Sequence, residues 1–198
     1  LALVGLLSSC ARPVQPPASA PEGLIERPVD TRGAQIYSID PDASVVHILV
    51  YRGGTFARLG HNHVVASRSL SGRAWIHPQF ERSGFELSMP VASLIVDDPE
   101  DRRAHGEDFP LGLNEQDIEG TRRNMLRAEV LDAENFPTID LRSVEVKGTL
   151  AAPAVMTRIT IKGVARDIPV PLELELEGGR LKVRGELDLL QTQFGMKP

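Results

Sequence analysis

The segment IPVPLELELEGGRLKVRGELDLL, residues 168–190, alternates apolar and polar side chains on both sides of a Gly-Gly pair. A period of two residues places the apolar side chains of a strand on one face. Gly178 and Gly179 match the two-residue turn that joins antiparallel strands. The segment therefore predicts a β-hairpin with one apolar face and one charged face. The apolar face holds Ile168, Val170, Leu172, Leu174, Leu176, Leu181, Val183, Leu187 and Leu189.

The same alternation recurs in GFELSMPVASLIV, residues 84–96, and in AVMTRITIKGVARD, residues 154–167. Strands with a single apolar face must pair with a second sheet or close on themselves. Closure of about eight antiparallel strands leaves an interior that side chains fill or that holds one small ligand. We therefore predict an all-β fold, a lipocalin-like antiparallel β-barrel.

One stretch, residues 111–137, interrupts the strand pattern. Ile118, Met125 and Leu126 have helical spacing, which predicts a short helical insertion that packs across the sheet or caps it. The preceding DDPEDRRAHGEDFP, residues 97–110, is polar and acidic. We expect a solvated loop there, since the alternative, a hard-cation site of its acids with His105, lacks calcium-loop spacing.

The chain opens on LALVGLLSSCA, an apolar run before small residues and Cys10, the only cysteine of the sequence. The run is too short to span a bilayer and is typical of a secretory signal. Leu7–Cys10 resembles the lipobox of bacterial lipoproteins, which implies lipidation of Cys10. The sequence starts without a methionine, so we expect that it begins inside a longer chain, and residues 1–9 are interpreted as a signal peptide remnant.

Residues 10–32 are predicted to be a lipidated cysteine followed by a proline-rich, semi-extended tether. By the lipoprotein sorting pattern, Ala11 implies transfer to the outer membrane. The remaining residues, 33–198, are long enough for one domain with its own core.

Composition excludes several classes of function. A net charge of −5 over 198 residues argues against nucleic acid as a partner, because such a protein needs a basic face. The sequence has no phosphate-cradling glycine loop and no structural-zinc spacing. Its serines lack a nucleophile-elbow context, and no carboxylate pair is brought together, so we expect a protein that is not an enzyme.

Two histidines in RLGHNHVVASR, residues 58–68, are the remaining candidates for chemistry. His61 and His63 share a strand face and could approach one metal ion or a haem, although a stable site needs further ligands. The alternative is a pair of polar residues at a barrel mouth. A tight turn at Gly53 and Gly54 would pair Val46 with His61 and place His47 on the opposite face.

Several motifs, in order, resemble the YceI-like family over nearly all of residues 37–196. They are YSIDPDASVVHILVYRGGTFARLGHNHVV from Tyr37, LSGRAWI, LDAENFPTIDLRS, ITIKGVARDIPVPL and the late QFGM. The resemblance implies an extended lipocalin-like barrel in the bacterial periplasm, which in some members holds a polyisoprenoid or an isoprenoid quinone. Members usually continue past FGM, so we expect a truncated C-terminus that lacks the last strand. The GHNH stretch departs from typical members and indicates a subgroup.

The leading functional hypothesis is a lipid-anchored lipoprotein of the cell envelope, facing the periplasm at the outer membrane, that binds an amphipathic lipid in its barrel. The alternative is a metal- or haem-binding periplasmic protein that uses His61 and His63. The apolar residues predicted to line the lumen are Phe85, Leu87, Met89, Val91, Ile159, Ile161, Leu172 and Leu174.

Overall fold

The computed structural model describes residues 29–53 and 60–198. The predictions for Cys10, for residues 1–9 and for most of the tether concern residues outside the described part. Residues Thr31–Pro198 form one compact unit.

The described residues form ten strands and two α-helices. The strands are β1 Gln35–Ser38, β2 Val46–Val50, β3 His63–Ser67, β4 Ser71–Ile76, β5 Gly84–Pro90, β6 Ile95–Val96, β7 Thr138–Thr149, β8 Ala152–Ile161, β9 Val164–Glu177 and β10 Arg180–Gly185. The helices are α1 Pro99–Ala104 and α2 Glu115–Leu126, and single 3-10 turns occupy Phe80–Arg82, Val91–Ser93 and Gln191–Phe194.

Seven strands form an antiparallel sheet in the order β1-β4-β5-β7-β8-β9-β10, and this sheet curls into a nearly closed barrel. The strands β2, β3 and β6 form a second antiparallel sheet with β3 in its centre. The prediction of an all-β, lipocalin-like antiparallel barrel with a helical insertion is confirmed. The strands are divided between two sheets, which alternation within single strands does not reveal.

The predicted hairpin forms with the expected register, with Glu177 opposite Arg180 across the turn. Its second strand ends at Gly185, so Leu187 and Leu189 lie beyond the strand that alternation predicted for them. Gly178 and Gly179 both have positive φ, +57° and +79°. Two such residues in succession define the turn whose twist matches paired strands, and glycine adopts them without steric cost. The hairpin therefore forms from its local sequence.

The core lies where the second sheet, α2 and the C-terminal segment meet the inner face of the main sheet. Its buried members include Val65 of β3, Met89 of β5, Ile159 of β8 and Phe194 near the C-terminus. Ile118, Met125 and Leu126 of α2 pack against this cluster, as their spacing predicted. The insertion runs from Glu115 to Leu126 and begins at Asn114, whose side chain accepts a hydrogen bond from Asp117 N–H.

The expectation of a solvated loop at residues 97–110 is wrong. The segment contains the helix α1, and Asp101 and Arg102 within it are buried. Asp98 caps the helix by accepting hydrogen bonds from the N–H groups of Glu100 and Asp101, and Pro99 occupies the first turn. Charged side chains enter the interior here because each finds a partner.

Among the described helices, none has the length and apolar content needed to cross a membrane.

Candidate functional site

The first candidate site is the inner face of the barrel. On this face Leu87 of β5 stands beside Leu141 of β7, which in turn stands beside Ile159 of β8. Met89 is opposite Ile139 in the next row. Side chains at paired positions of neighbouring strands lie on the same face and contact one another. The structure therefore brings together Phe85, Leu87, Met89, Ile159 and Ile161 as one apolar surface.

The burial of the predicted lumen residues divides them into two groups. Met89, Val91, Ile159 and Ile161 are buried in the core. The half-buried members are Phe85, Leu87, Leu172 and Leu174. Val91 lies just beyond β5, in a 3-10 turn rather than on the strand. The half-buried group keeps some contact with water, whereas the buried group packs in the core.

Leu172 and Leu174 lie on the part of β9 that pairs with β10. Leu174 is opposite Val183, and Leu176 is opposite Leu181. Leu176 and Val183 on the apolar face are 44% and 48% exposed. Glu173 and Glu175, which alternate with the leucines of β9, are on the charged face. The inner apolar surface therefore continues along the β9–β10 hairpin to a rim that contacts water.

The second candidate site is the GHNH stretch at the start of β3. Val46 pairs with Ser67 instead of His61, six residues further along, so the predicted tight turn at Gly53 and Gly54 is wrong. A longer connection, residues 51–62, joins β2 to β3. A register shift of six residues, an even number, leaves each side chain on the same face of the strand pair. His47 therefore still lies on the opposite face from His63, as the tight turn also predicted.

His63 is held by the fully buried Asp97, whose Oδ2 lies 2.7 Å from His63 Nδ1. An ionised carboxylate only accepts, so Nδ1–H donates. Asp97 Oδ1 also accepts from Val64 N–H at 3.0 Å and from the guanidinium of Arg102. Burial alone would raise the pKa of Asp97, but these hydrogen bonds outweigh it and the pKa lies below its ordinary value.

Arg102 is 2% exposed and completes this network. Its guanidinium donates to the carbonyl of Pro110 at 2.7 and 2.9 Å and to the carbonyl of Asn62 at 2.9 Å. The Asn62 side chain accepts from Arg52 N–H at 2.9 Å and donates to the carbonyl of Asp108 at 3.0 Å. Asn62 and His63 therefore fasten the β2–β3 connection to the segment that contains α1.

Asp101 of α1 forms a second set of contacts on the other face of the three-stranded sheet. Arg68 donates to both of its oxygens at 2.7 and 3.0 Å, and His47 Nε2 donates at 3.0 Å. The Arg68 hydrogen bonds lower the pKa of Asp101 more than burial raises it. The His105 ring packs edge-on against His47, with centroids 4.8 Å apart. Four of the five histidines thus lie near α1 or the start of β3.

His61 is exposed, and its ring centroid is 6.5 Å from that of His63. It lines a surface pocket of about 200 Å³ together with Arg52, Glu107 and Asp108. Within residues 29–53 and 60–198, no group of three or more His, Cys, Asp or Glu side chains is placed to hold a metal ion. The contacts of His63 indicate a structural role, and His61 is a surface residue at the same end of β3.

Sequence reasoning missed Asp97, Asp101 and Arg102. Their segment has the composition of a solvated loop, and several of their partners, such as Asn62, His63 and Arg68, lie more than 30 residues away in or beside β3. One local signal was present: Asp98 before Pro99 is a helix start, with an N-cap residue followed by proline at the first position. That signal predicts the helix but not the burial of its charges.

The architecture and its apolar inner face define a lipocalin-like barrel protein. The model of the YceI-like domain family matches residues 37–198, and the chain therefore belongs to the YceI-like family. A search of curated proteins finds no match.

Among solved structures, BcnA of Burkholderia cenocepacia is similar with a TM-score of 0.54 and 15% identity, covering 85% of this chain and 84% of that chain. At this identity the likeness shows the fold alone. The YceI protein of Campylobacter jejuni gives a TM-score of 0.41 and 14% identity, covering 60% of this chain and 61% of that chain.

We predict that Asp97→Ala destabilises the protein by about 3–5 kcal/mol, because it leaves the buried Arg102 without its counter-charge. The matched control is Asp167→Ala, which breaks the exposed pair with Arg158 and is expected to lower stability by less than about 1 kcal/mol. Urea unfolding measures both. Equal losses in the two variants would contradict the assignment of Asp97 as the centre of a buried network.

The lowered pKa values of Asp97 and Asp101 also predict how stability depends on pH. A carboxyl with a lowered folded-state pKa contributes stability above the unfolded pKa, about 3.9, and this contribution is lost as the pH falls through the folded-state value. The free energy of unfolding, measured from pH 7 downward, should therefore decrease once the pH is lower than about 4. In Asp97→Asn the fall should be smaller; an unchanged slope would show that Asp97 is not a source of it.

Proposed function

We propose that this chain binds an amphipathic lipid, a polyisoprenoid or an isoprenoid quinone, in the lumen of its barrel, and that it serves as a periplasmic binding protein rather than an enzyme. The observation that carries the proposal is the inner apolar surface, which runs from the buried Ile159 to the exposed rim at Val183. A long apolar chain gains affinity in proportion to the apolar area it removes from water. Membership of the YceI-like family supports the same function.

The chemistry of the surface suits a lipid tail. The half-buried Leu172 and Leu174 present branched apolar side chains with no charge among them. Where β9 pairs with β10, the charged side chains lie on the opposite face. An isoprenoid tail is branched and apolar along its length, so it makes dispersion contacts with every row of such a face. The exposed rim supplies a route for the tail to enter from a membrane or from water.

A substitution that fills the lumen tests this proposal. Leu172→Trp should lower the affinity for radiolabelled geranylgeraniol by about tenfold or more, since a ring added on the inner face occupies ligand space; tenfold corresponds to about 1.4 kcal/mol. Glu173→Trp, one residue along on the charged face, is the matched control and should bind as the wild type does. Equilibrium dialysis of the delipidated protein gives the affinities.

No binding of the lipid by the wild type, or the same loss in the two tryptophan variants, would contradict the proposal. Near-native circular dichroism in both variants excludes misfolding as the cause.

We also propose that the protein is anchored to a membrane through Cys10, facing the periplasm at the outer membrane. The support is sequence alone: a lone cysteine after an apolar run and small residues, followed by a proline-rich tether. Each buried CH₂ of an acyl chain contributes about 0.8 kcal/mol, so two or three chains suffice for stable anchoring.

Cys10→Ala in the full precursor tests the anchor. In cells labelled with radioactive palmitate, the wild type should carry label and fractionate with membranes, whereas the variant should carry none and leave the membrane fraction. Ser9→Ala keeps a small residue before the cysteine and should be labelled normally. Labelled Cys10→Ala protein, or a wild type without label, would refute the proposal.

A further inference from the structure

The imidazole of His63 has one ring nitrogen bonded and one free. Its Nδ1–H donates to Asp97 at 2.7 Å, so the lone pair of the neutral ring is on Nε2. Within residues 29–53 and 60–198, no group hydrogen-bonds to this Nε2. The His63 side chain is 22% exposed, so it is not sealed in the interior. The hydrogen bond that holds His63 in the fold therefore leaves a nitrogen donor unused.

A carboxylate behind a histidine is the arrangement that orients histidine ligands of metal ions. It fixes the tautomer and the ring plane, and it makes the distal nitrogen a better electron-pair donor. Asp97 acts from a fully buried position, and Val64 N–H and the Arg102 guanidinium hold its other oxygen. His63 is therefore already oriented as a ligand before any ion arrives.

His61 supplies a second imidazole two residues away. The ring centroids of His61 and His63 are 6.5 Å apart. An ion about 2.0–2.1 Å from one nitrogen of each ring holds two such centroids roughly 5–6 Å apart. Because His61 is exposed, a small rotation of its side chain closes this difference.

The pocket beside His61 has the charge that a cation requires. Two carboxylates, Glu107 and Asp108, line it together with one cation, Arg52. Neither carboxylate forms an ion pair in the described part of the chain, and both residues are exposed. The Asn62 side chain donates to the carbonyl of Asp108 at 3.0 Å and so holds this segment next to His61. A carboxylate oxygen is therefore available near the two rings.

We propose that His61 and His63 bind one divalent transition-metal ion of the Zn²⁺ or Cu²⁺ class. Imidazole nitrogens suit these ions, whereas Mg²⁺ and Ca²⁺ take oxygen ligands. The described residues do not assemble three such side chains around one point, so water and a rotated carboxylate of the pocket complete the coordination. This function is separate from lipid binding, since it uses none of the residues assigned to the lumen.

The other histidine pair, His47 and His105, is closer, with ring centroids 4.8 Å apart, but it is a poorer site. His47 Nε2 donates to Asp101, and the guanidinium of Arg68 binds both oxygens of the same carboxylate. A fixed cation beside the rings repels a metal ion. His47 is therefore a matched control: it is a histidine bonded to a buried carboxylate, without the proposed role.

Calorimetric titration of the untagged full chain with Zn²⁺ tests the proposal. The wild type should bind one Zn²⁺. His61→Gln should bind it at least about tenfold more weakly, because one of the two imidazole ligands is lost. His47→Gln should bind as the wild type does, and Ca²⁺ should not compete. Zn²⁺ should also raise the midpoint of thermal unfolding of the wild type more than that of His61→Gln.

Three results would each overturn the proposal. The first is a wild type that takes up less than one Zn²⁺ at about 1 mM free ion, the limit of weak binding. The second is His61→Gln that binds Zn²⁺ as tightly as the wild type, which would show adventitious binding elsewhere. The third is an equal loss in His47→Gln. Position 61 is exposed, so near-native circular dichroism is expected for His61→Gln and excludes misfolding.

Discussion

The strands β5, β7 and β8 of the main sheet and its β9–β10 hairpin each have one apolar face. The need to remove these faces from water determines much of the rest of the structure. Antiparallel strands with a single dry face bury it by curling the sheet and by covering the open side. Here the sheet β1-β4-β5-β7-β8-β9-β10 curls, and β3, α2 and the segment around Phe194 cover part of its inner face. The part that they leave half-buried, around Leu172 and Leu174, is the part that we assign to a ligand.

The charged contacts of α1 fix the position of the connection between β2 and β3. A buried charge is tolerated only when its partners are complete, so Asp97 and Arg102 allow little variation in the backbone around them. Arg102 reaches the carbonyls of Asn62 and Pro110, and Asp97 reaches His63 and Val64 N–H. Within the GHNH stretch, Asn62 and His63 thus hold the start of β3 in place, whereas His61 lies at the surface.

The β9–β10 hairpin was predictable because its cause is local: alternation sets the face, and Gly178 and Gly179 set the turn. The end of β10 at Gly185, short of the predicted Leu190, was not predicted. The helix α2 was predictable for the same reason, from three residues at helical spacing. The division into two sheets and the burial of Arg102 were not, since both depend on partners distant in sequence. Of the candidate site, the inward residues followed from alternation, whereas the buried contacts of Asp97 with His63 and Val64 did not.

The central claim is that the inner face exists to hold a lipid, and native mass spectrometry of the full-length protein from its own host tests it most directly. The protein should be extracted in mild detergent and never delipidated. The account predicts a second mass series, heavier by one isoprenoid lipid, that disappears in Leu172→Trp and persists in Glu173→Trp. A single ligand-free series for the wild type, under conditions that preserve a control lipid complex, would contradict the claim.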